Sequence, residues 1–435
     1  MIKKILLFGA GKSATCLIRY LVAETAHRGW QLIVAESNLA LAQSKIGPAA
    51  HARAVSLQVE NEQEREAMVR EADIVISLLP PALHFLVARS CIAGKKDLLT
   101  ASYLDDKIRS LEQGIHENGL LFLCEMGLDP GIDHMSAMQL IHRIKEEGGE
   151  IISFRSHTGG LVSPQSDDNP WHYKISWNPR NVVLAGSAGA RYKENGQVVT
   201  REYEELFSDC REVAVEGIGS LAWYPNRDSL SYLPIYELED TKDFIRTTLR
   251  YPSFCKAWKS IVRAGLTNDQ VAISPDGLDY SRWSAPIVPF IDTENKAQLE
   301  FLGLFDHLPV PGSARTSADI LQYILETKLA MRPEDKDMIV MLHEITYMGH
   351  IAGPGQASTP QKSTEVRSSL VVHGEDHLQT AMAKTVGLPL GIAAILILEG
   401  KIKLTGLHIP ITPVIYEPVL KELAAQGVRF EETIN

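Results

Sequence analysis

The sequence predicts an α/β protein: a doubly wound parallel sheet, then a second α/β (α+β) region with a small helical insertion. Three observations predict it. The chain opens with an apolar run over 5–8, the glycine turn Gly9-Ala10-Gly11 and a helical pattern. Apolar runs then alternate with amphipathic stretches as far as residue 126. Beyond Gly131 the pattern becomes strand-rich, with a mainly helical block over 252–335.

The first region is expected to hold strands near 4–9, 31–36, 54–58, 73–79, 97–101 and 120–124. Helices lie between them, such as 13–27, where Leu17 and Leu21, and Ile18 and Val22, stand four residues apart. Six strands with helical crossovers make a Rossmann-type sheet, which binds ligands at the carboxyl ends of its strands. Glycines let backbone approach a pyrophosphate at a helix N-terminus, and Ala14 is an allowed third position of that fingerprint. Glu36 closes the second strand, where a carboxylate can accept from a ribose 2'-hydroxyl. These features predict a dinucleotide site and, through Glu36, NAD in preference to NADP.

A helix is expected over 133–147, ending at Gly148-Gly149. Strands follow at 151–158, 182–184, 190–193, 197–199 and 213–216. Strands at 338–342 and 368–373 flank a Gly/Pro/Ser/Thr-rich connection at 349–363, and a helix over 376–398 precedes a short tail. The apolar run 386–398 is short and interrupted, which predicts a buried helix and no membrane span.

Composition bounds the function. Of 435 residues, 45% are hydrophobic and 22% charged, as in ordinary globular proteins. The net charge of -11 argues against nucleic-acid binding but leaves room for a local basic pocket. Cys16, Cys91, Cys124, Cys210 and Cys255 form no CxxC pair and read as reduced thiols of a cytoplasmic protein. The start Met1-Ile2-Lys3-Lys4 lacks a proper signal-peptide core. No zinc, Walker or GxSxG pattern is present, so no metal is expected.

Asp129, in Gly127-Leu128-Asp129-Pro130-Gly131-Ile132-Asp133-His134, stands at a strand end where a nicotinamide would lie. Asp133 reads as the N-cap of the next helix and His134 as a structural hydrogen-bonding residue. Arg227 and Arg250 could clamp carboxylates bidentately, although any single arginine is by default a structural ion-pair partner.

Several motifs together are similar to the saccharopine dehydrogenase (L-glutamate-forming), or saccharopine reductase, family. They are Asp73-Ile74-Val75-Ile76-Ser77-Leu78-Leu79-Pro80, Thr100-Ala101-Ser102-Tyr103, the 127–134 stretch, Asn169-Pro170, Tyr173-Lys174-Ile175-Ser176-Trp177, Tyr224-Pro225-Asn226-Arg227-Asp228-Ser229, Thr248-Leu249-Arg250-Tyr251 and Ala381-Met382-Ala383-Lys384-Thr385-Val386-Gly387. They occur in family order across most of the chain.

The resemblance implies a dinucleotide-binding domain over 1–126 completed by 385–435. It also implies a substrate and dimerisation domain over 127–251 and 336–384, and a helical insertion over 252–335. The implied activity is oxidation of saccharopine's secondary amine to glutamate and 2-aminoadipate 6-semialdehyde. Implied cofactor contacts are Gly9, Ala10, Gly11, Lys12, Glu36, Leu57, Gln58, Leu78, Thr100, Ser102 and Ser176. Ser102, Tyr103, Asp129, Arg227, Thr248, Leu249 and Arg250 would hold the substrate, with Asp129 and Tyr103 nearest the chemistry.

The chain departs from the family at Glu36-Ser37-Asn38, where NADP-linked members look arginine-bearing. It also departs at Pro81, Ala82, Gln58 and the loop Leu161-Val162-Ser163-Pro164-Gln165. The expected partner is a small polyacidic amino acid, with no nucleic acid and no membrane, and the apolar second region suits a homodimer. The rivals are a dehydrogenase of another carboxyalkylated amine, such as a carboxyspermidine, and a catalytically idle NAD-binding sensor.

Overall fold

The computed structural model describes residues 2–349 and 362–434. The connection expected at 349–363 lies almost wholly outside the described residues. The chain forms two compact units, Met1–His142 with Leu378–Arg429, and Arg143–His377 with Phe430–Asn435. The division at 142/143 falls inside the helix Ile132–Glu146, because the chain passes between units without breaking its backbone hydrogen bonding.

In the first unit, strands β1 (Lys4–Phe8), β2 (Gln31–Glu36), β3 (Ala52–Ser56), β4 (Ile74–Ser77), β5 (Asp97–Thr100) and β6 (Leu121–Leu123) form one sheet. A strand over Gly406–His408 joins its edge. The order is Gly406–His408, β6, β5, β4, β1, β2, β3, and every pairing is parallel. The central strands are continuous apolar runs because helices cover both faces. Residues 5–8 and 74–77 are buried throughout. The reversal of strand order between β1 and β4 marks the carboxyl-end crevice used for ligands in such sheets.

The helix Ala381–Leu398 is the one described helix long and apolar enough, by length and composition alone, to cross a membrane. Here it is mostly buried and packs against the helix Thr15–Arg28. Thr380 caps it, accepting from Ala383 N at 2.9 Å, so it starts later than 376. Two glycines set the closeness of approach. A Cβ at Gly387 would lie 2.9 Å from Leu17 Cβ, and one at Gly391 would lie 2.7 Å from a Tyr20 ring carbon. Gly387→Val is therefore expected to destabilise this unit by about 1–3 kcal/mol through overpacking. Thermal melting checks it; an unchanged midpoint would remove close packing as the reason for glycine.

The second unit is built on a mixed sheet. Its strands are β7 (Glu150–Val162), β8 (Ala190–Glu194), β9 (Gln197–Arg201), β10 (Arg211–Val215), β11 (Gly219–Pro225), β12 (Arg227–Asp228), β13 (Asp243–Arg250), β14 (Asp337–Gly349) and β15 (Lys362–His373). The main path runs β10, β11, β13, β7, β14, β15 and then Glu431–Ile434, with β8 linking β13 to β9 and β12. Gly159 of β7 leaves room for Leu249, since a Cβ there would lie 2.7 Å from Leu249 Cβ. The mainly helical block over 252–335 closes a core around Trp171, Phe254 and Trp258.

Two sequence expectations change here. Residues 182–184 are not a strand. They end the helix Pro179–Val183, because Asn178 accepts from Arg180 N at 2.9 Å and Pro179 occupies the first helical position. β11 and β13 were not anticipated. In β13 the buried polar residues Arg246, Thr247 and Arg250 interrupt the apolar pattern that would reveal a strand.

Candidate functional site

The glycine turn follows directly from β1. Gly9 has φ +100, and a Cβ there would meet Leu78 O at 2.4 Å, so only glycine fits between β1 and the end of β4. Gly11 opens the turn Lys12–Ala14, which runs into the helix Thr15–Arg28, and no side chain caps this start. A Cβ at Gly11 would meet nothing within 4 Å, and Lys12 is exposed. Uncapped amides beside open space are the donor set a pyrophosphate requires.

Glu36 lies beside this turn. Its carboxylate accepts from Ala10 N at 2.8 Å, Ser37 Oγ at 2.8 Å and Asn38 N at 3.2 Å. Partial burial pushes the carboxyl up, but these hydrogen bonds outweigh it and hold the group below its ordinary range. Lys45 reaches back to donate to Gly11 O. Its ammonium is pulled down to about 8 by burial and partly restored by Glu36.

The remaining expected cofactor residues of this unit lie at or just beyond strand ends. Leu57 and Gln58 follow β3, the first buried and the second exposed. Leu78 follows β4, Thr100 closes β5, and Ser102 N donates to Thr100 Oγ1 at 3.3 Å. Ser176 is buried in the second unit.

The first unit also brings Tyr103 and Asp129 together. The Tyr103 hydroxyl donates to Asp129 Oδ1 at 2.9 Å, and both side chains are half-buried. Behind them stands Glu125, which the sequence reading missed. It is 3% exposed and takes a left-handed backbone, φ 58. Its carboxylate accepts from Leu104 N at 3.0 Å and lies 2.8 Å from His134 Nε2. Glu125 thus ties the loop after β5, which carries Tyr103, to the helix that follows Asp129. His134 serves this link, as a structural role would have it. Asp133 sits inside the helix rather than at its cap, yet accepts from Gly131 N at 2.6 Å.

In the second unit, Thr248, Leu249 and Arg250 end β13, opposite Tyr224, Trp223 and Ala222 of β11. Arg250 is 4% exposed. Its Nη1 donates to Leu249 O at 2.9 Å, while its Nε has no hydrogen-bond partner. The guanidinium lies 5.2 Å from the Tyr173 ring centre and 5.4 Å from that of Phe254. Among the described residues no carboxylate pairs with it. Arg227 differs: it is exposed on β12, with a left-handed φ of 52. No group of metal-ligating side chains occurs among the described residues.

The parallel sheet and its open glycine turn make the first unit a Rossmann-type α/β fold of the kind that binds dinucleotides, and the second unit carries a buried arginine. Comparison with known proteins identifies it further. Residues 5–123 match the model described as "Saccharopine dehydrogenase NADP binding domain", and residues 127–428 match "Saccharopine dehydrogenase C-terminal domain". The chain belongs to the saccharopine dehydrogenase family. It is 34% identical over 453 residues to the mitochondrial alpha-aminoadipic semialdehyde synthase of Bos taurus, covering 98% of this chain and 47% of the relative. The chain thus spans about half the length of the first curated relatives it matches. It is 32% identical over 445 residues to "Saccharopine dehydrogenase [NADP(+), L-glutamate-forming]" of Saccharomyces cerevisiae, covering 97% of this chain and 96% of the relative. The apo structure of saccharopine dehydrogenase (L-Glu forming) from the same yeast superposes with a TM-score of 0.87 at 30% identity, covering 100% of both chains.

These matches correct one expectation. The preference for NAD over NADP, read from Glu36, is overturned by the NADP-binding family model and by the NADP(+) in the yeast relative's name. The physical reason lies in the loop. Glu36 is engaged by Ala10 N, Ser37 Oγ and Asn38 N, with Lys45 in its field, so it is not a free carboxylate awaiting a ribose.

Proposed function

We propose that this chain oxidises the secondary amine of saccharopine with NADP, giving L-glutamate and 2-aminoadipate 6-semialdehyde. The observation that carries the reading is Arg250, a buried guanidinium with aromatic walls and no carboxylate partner among the described residues. A desolvated cation of this kind calls for an anion, and saccharopine supplies carboxylates. The yeast relative's name supports both the substrate and NADP.

The bound nicotinamide would supply a hydride acceptor. The chain's own groups do the rest. The open turn at Gly9–Gly11 would seat the pyrophosphate, and the strand ends at Leu78 and Thr100 would orient the ring. Tyr103, donating to Asp129, fixes that carboxylate in direction. Asp129 would then face the substrate nitrogen and stabilise its positive charge as the neighbouring carbon loses hydride. Water adds to the resulting substrate iminium, and the carbinolamine splits into aldehyde and the amine of glutamate. Arg250 would hold a carboxylate in place throughout.

A carboxyspermidine is the poorer candidate, since a buried arginine repels a polycation. The free cysteines suit a reducing compartment such as the cytoplasm, and the bovine relative is named as mitochondrial. The test is to mix protein, saccharopine and NADP and to follow both NADPH absorbance and glutamate. Equimolar appearance of the two is expected. NADP binding without turnover of saccharopine would sink the reading.

A further inference from the structure

We propose that His84 is a positioning residue that aims the hydroxyl proton of Ser102 outward from the strand ends. This rests on the proposed function and on the family resemblance, which implies that Ser102 touches the cofactor and the substrate. After β4 the chain turns through Pro80-Pro81, and His84 opens the helix His84–Gly94. Its imidazole is 4% exposed. Nδ1 lies 2.8 Å from Ser77 Oγ at the end of β4, and Nε2 lies 2.7 Å from Ser102 Oγ just beyond β5. Ser77 and Thr100 are directly paired in the sheet, so the ring bridges two adjacent strand ends.

Burial pulls the ring down to about 4, with Asp105 opposing weakly, so it is neutral near pH 7. A neutral imidazole has one donor and one acceptor, and the two serines therefore take opposite roles. Ser77 is fully buried and its hydroxyl proton requires an acceptor inside the fold, which Nδ1 offers. Nε2–H then donates to Ser102 Oγ. The Ser102 hydroxyl proton is left to point away from the ring, ready for a carboxylate or carboxamide oxygen. The backbone of Ser102 is already held, its N–H by Thr100 Oγ1 and its carbonyl by Glu125 N at 3.1 Å. Only the direction of the hydroxyl remains to be set, and His84 sets it.

The test is a double-mutant cycle read by equilibrium binding of NADP, then of saccharopine to the NADPH-bound protein, with thermal melting of every variant. Ser102→Ala should weaken binding of one ligand about tenfold or more, as loss of a hydrogen bond to a polar or charged group does. His84→Asn, which keeps an amide near Nδ1 only, should match it. His84→Gln, which places an amide near Nε2, should bind far better than His84→Asn. The double variant Ser102→Ala with His84→Asn should bind no worse than Ser102→Ala alone. Multiplying effects, or equal binding by the two His84 variants, would overturn the proposal. If Ser102→Ala weakens binding but His84→Asn does not, the relay alone fails. If Ser102→Ala binds normally, the assignment of Ser102 fails and takes the relay with it.

Discussion

Arg250→Met is expected to lose two to three orders of magnitude in kcat/KM for saccharopine while melting no lower than the parent protein. Truncating a buried charge that pairs with an anionic ligand costs about 2–5 kcal/mol of complex stability. The stability side has the opposite sign. In the free protein Arg250 is buried, no described carboxylate pairs with it, and its bond to Leu249 O and its aromatic contacts compensate its desolvation only in part until substrate arrives. Methionine fills similar space, keeps contact with Tyr173 and Phe254, and removes that cost. Arg250→Lys should recover little activity, since a point charge cannot reproduce the planar fork or its stacking. Steady-state kinetics and melting on the same preparations check both halves. Activity within tenfold of the parent would show that Arg250 does not bind the substrate. A sharp drop in melting temperature would show that the arginine is structural.

The second large effect is expected at Glu125. Glu125→Ala should cost about 2–5 kcal/mol of stability, because the acceptor for Leu104 N and the partner of His134 disappear from a buried place. It should also lower kcat, since the loop bearing Tyr103 and the segment bearing Asp129 lose their common anchor. Glu125→Gln keeps an acceptor and should lose much less stability. Glu125→Gly relieves the left-handed backbone yet lacks the carboxylate, which separates the two contributions. Denaturant unfolding with kinetics on the folded variants decides the matter. If Glu125→Ala were as stable and active as the parent, the carboxylate would not be the anchor.

Much of the first unit was legible in the chain. The strands alternate with helices at the periods their burial demands, and Gly9 announces a turn that no other residue could make against Leu78 O. The motifs carried the family, because their order along the chain is itself a constraint. The second unit was harder. β13 bears Arg246, Thr247 and Arg250 in buried positions, and buried polar residues erase the apolar pattern that marks a strand. Residues 182–184, expected as a strand, instead end the helix Pro179–Val183, because Asn178 and Pro179 decide the local backbone. Glu36 misled for a related reason: a carboxylate at a strand end specifies a ligand only if its own loop does not engage it first.

The sequence by itself determined the kind of sheet, the dinucleotide turn and the family, since these depend on local spacing and on motif order. Only the tertiary structure decided which polar groups share a place. It joined His84 to Ser77 and Ser102, Glu125 to Leu104 and His134, and buried Arg250 with no carboxylate partner among the described residues. Burial and pairing are properties of residues distant in the chain, and the energies of charges and hydrogen bonds depend on them more than on residue type.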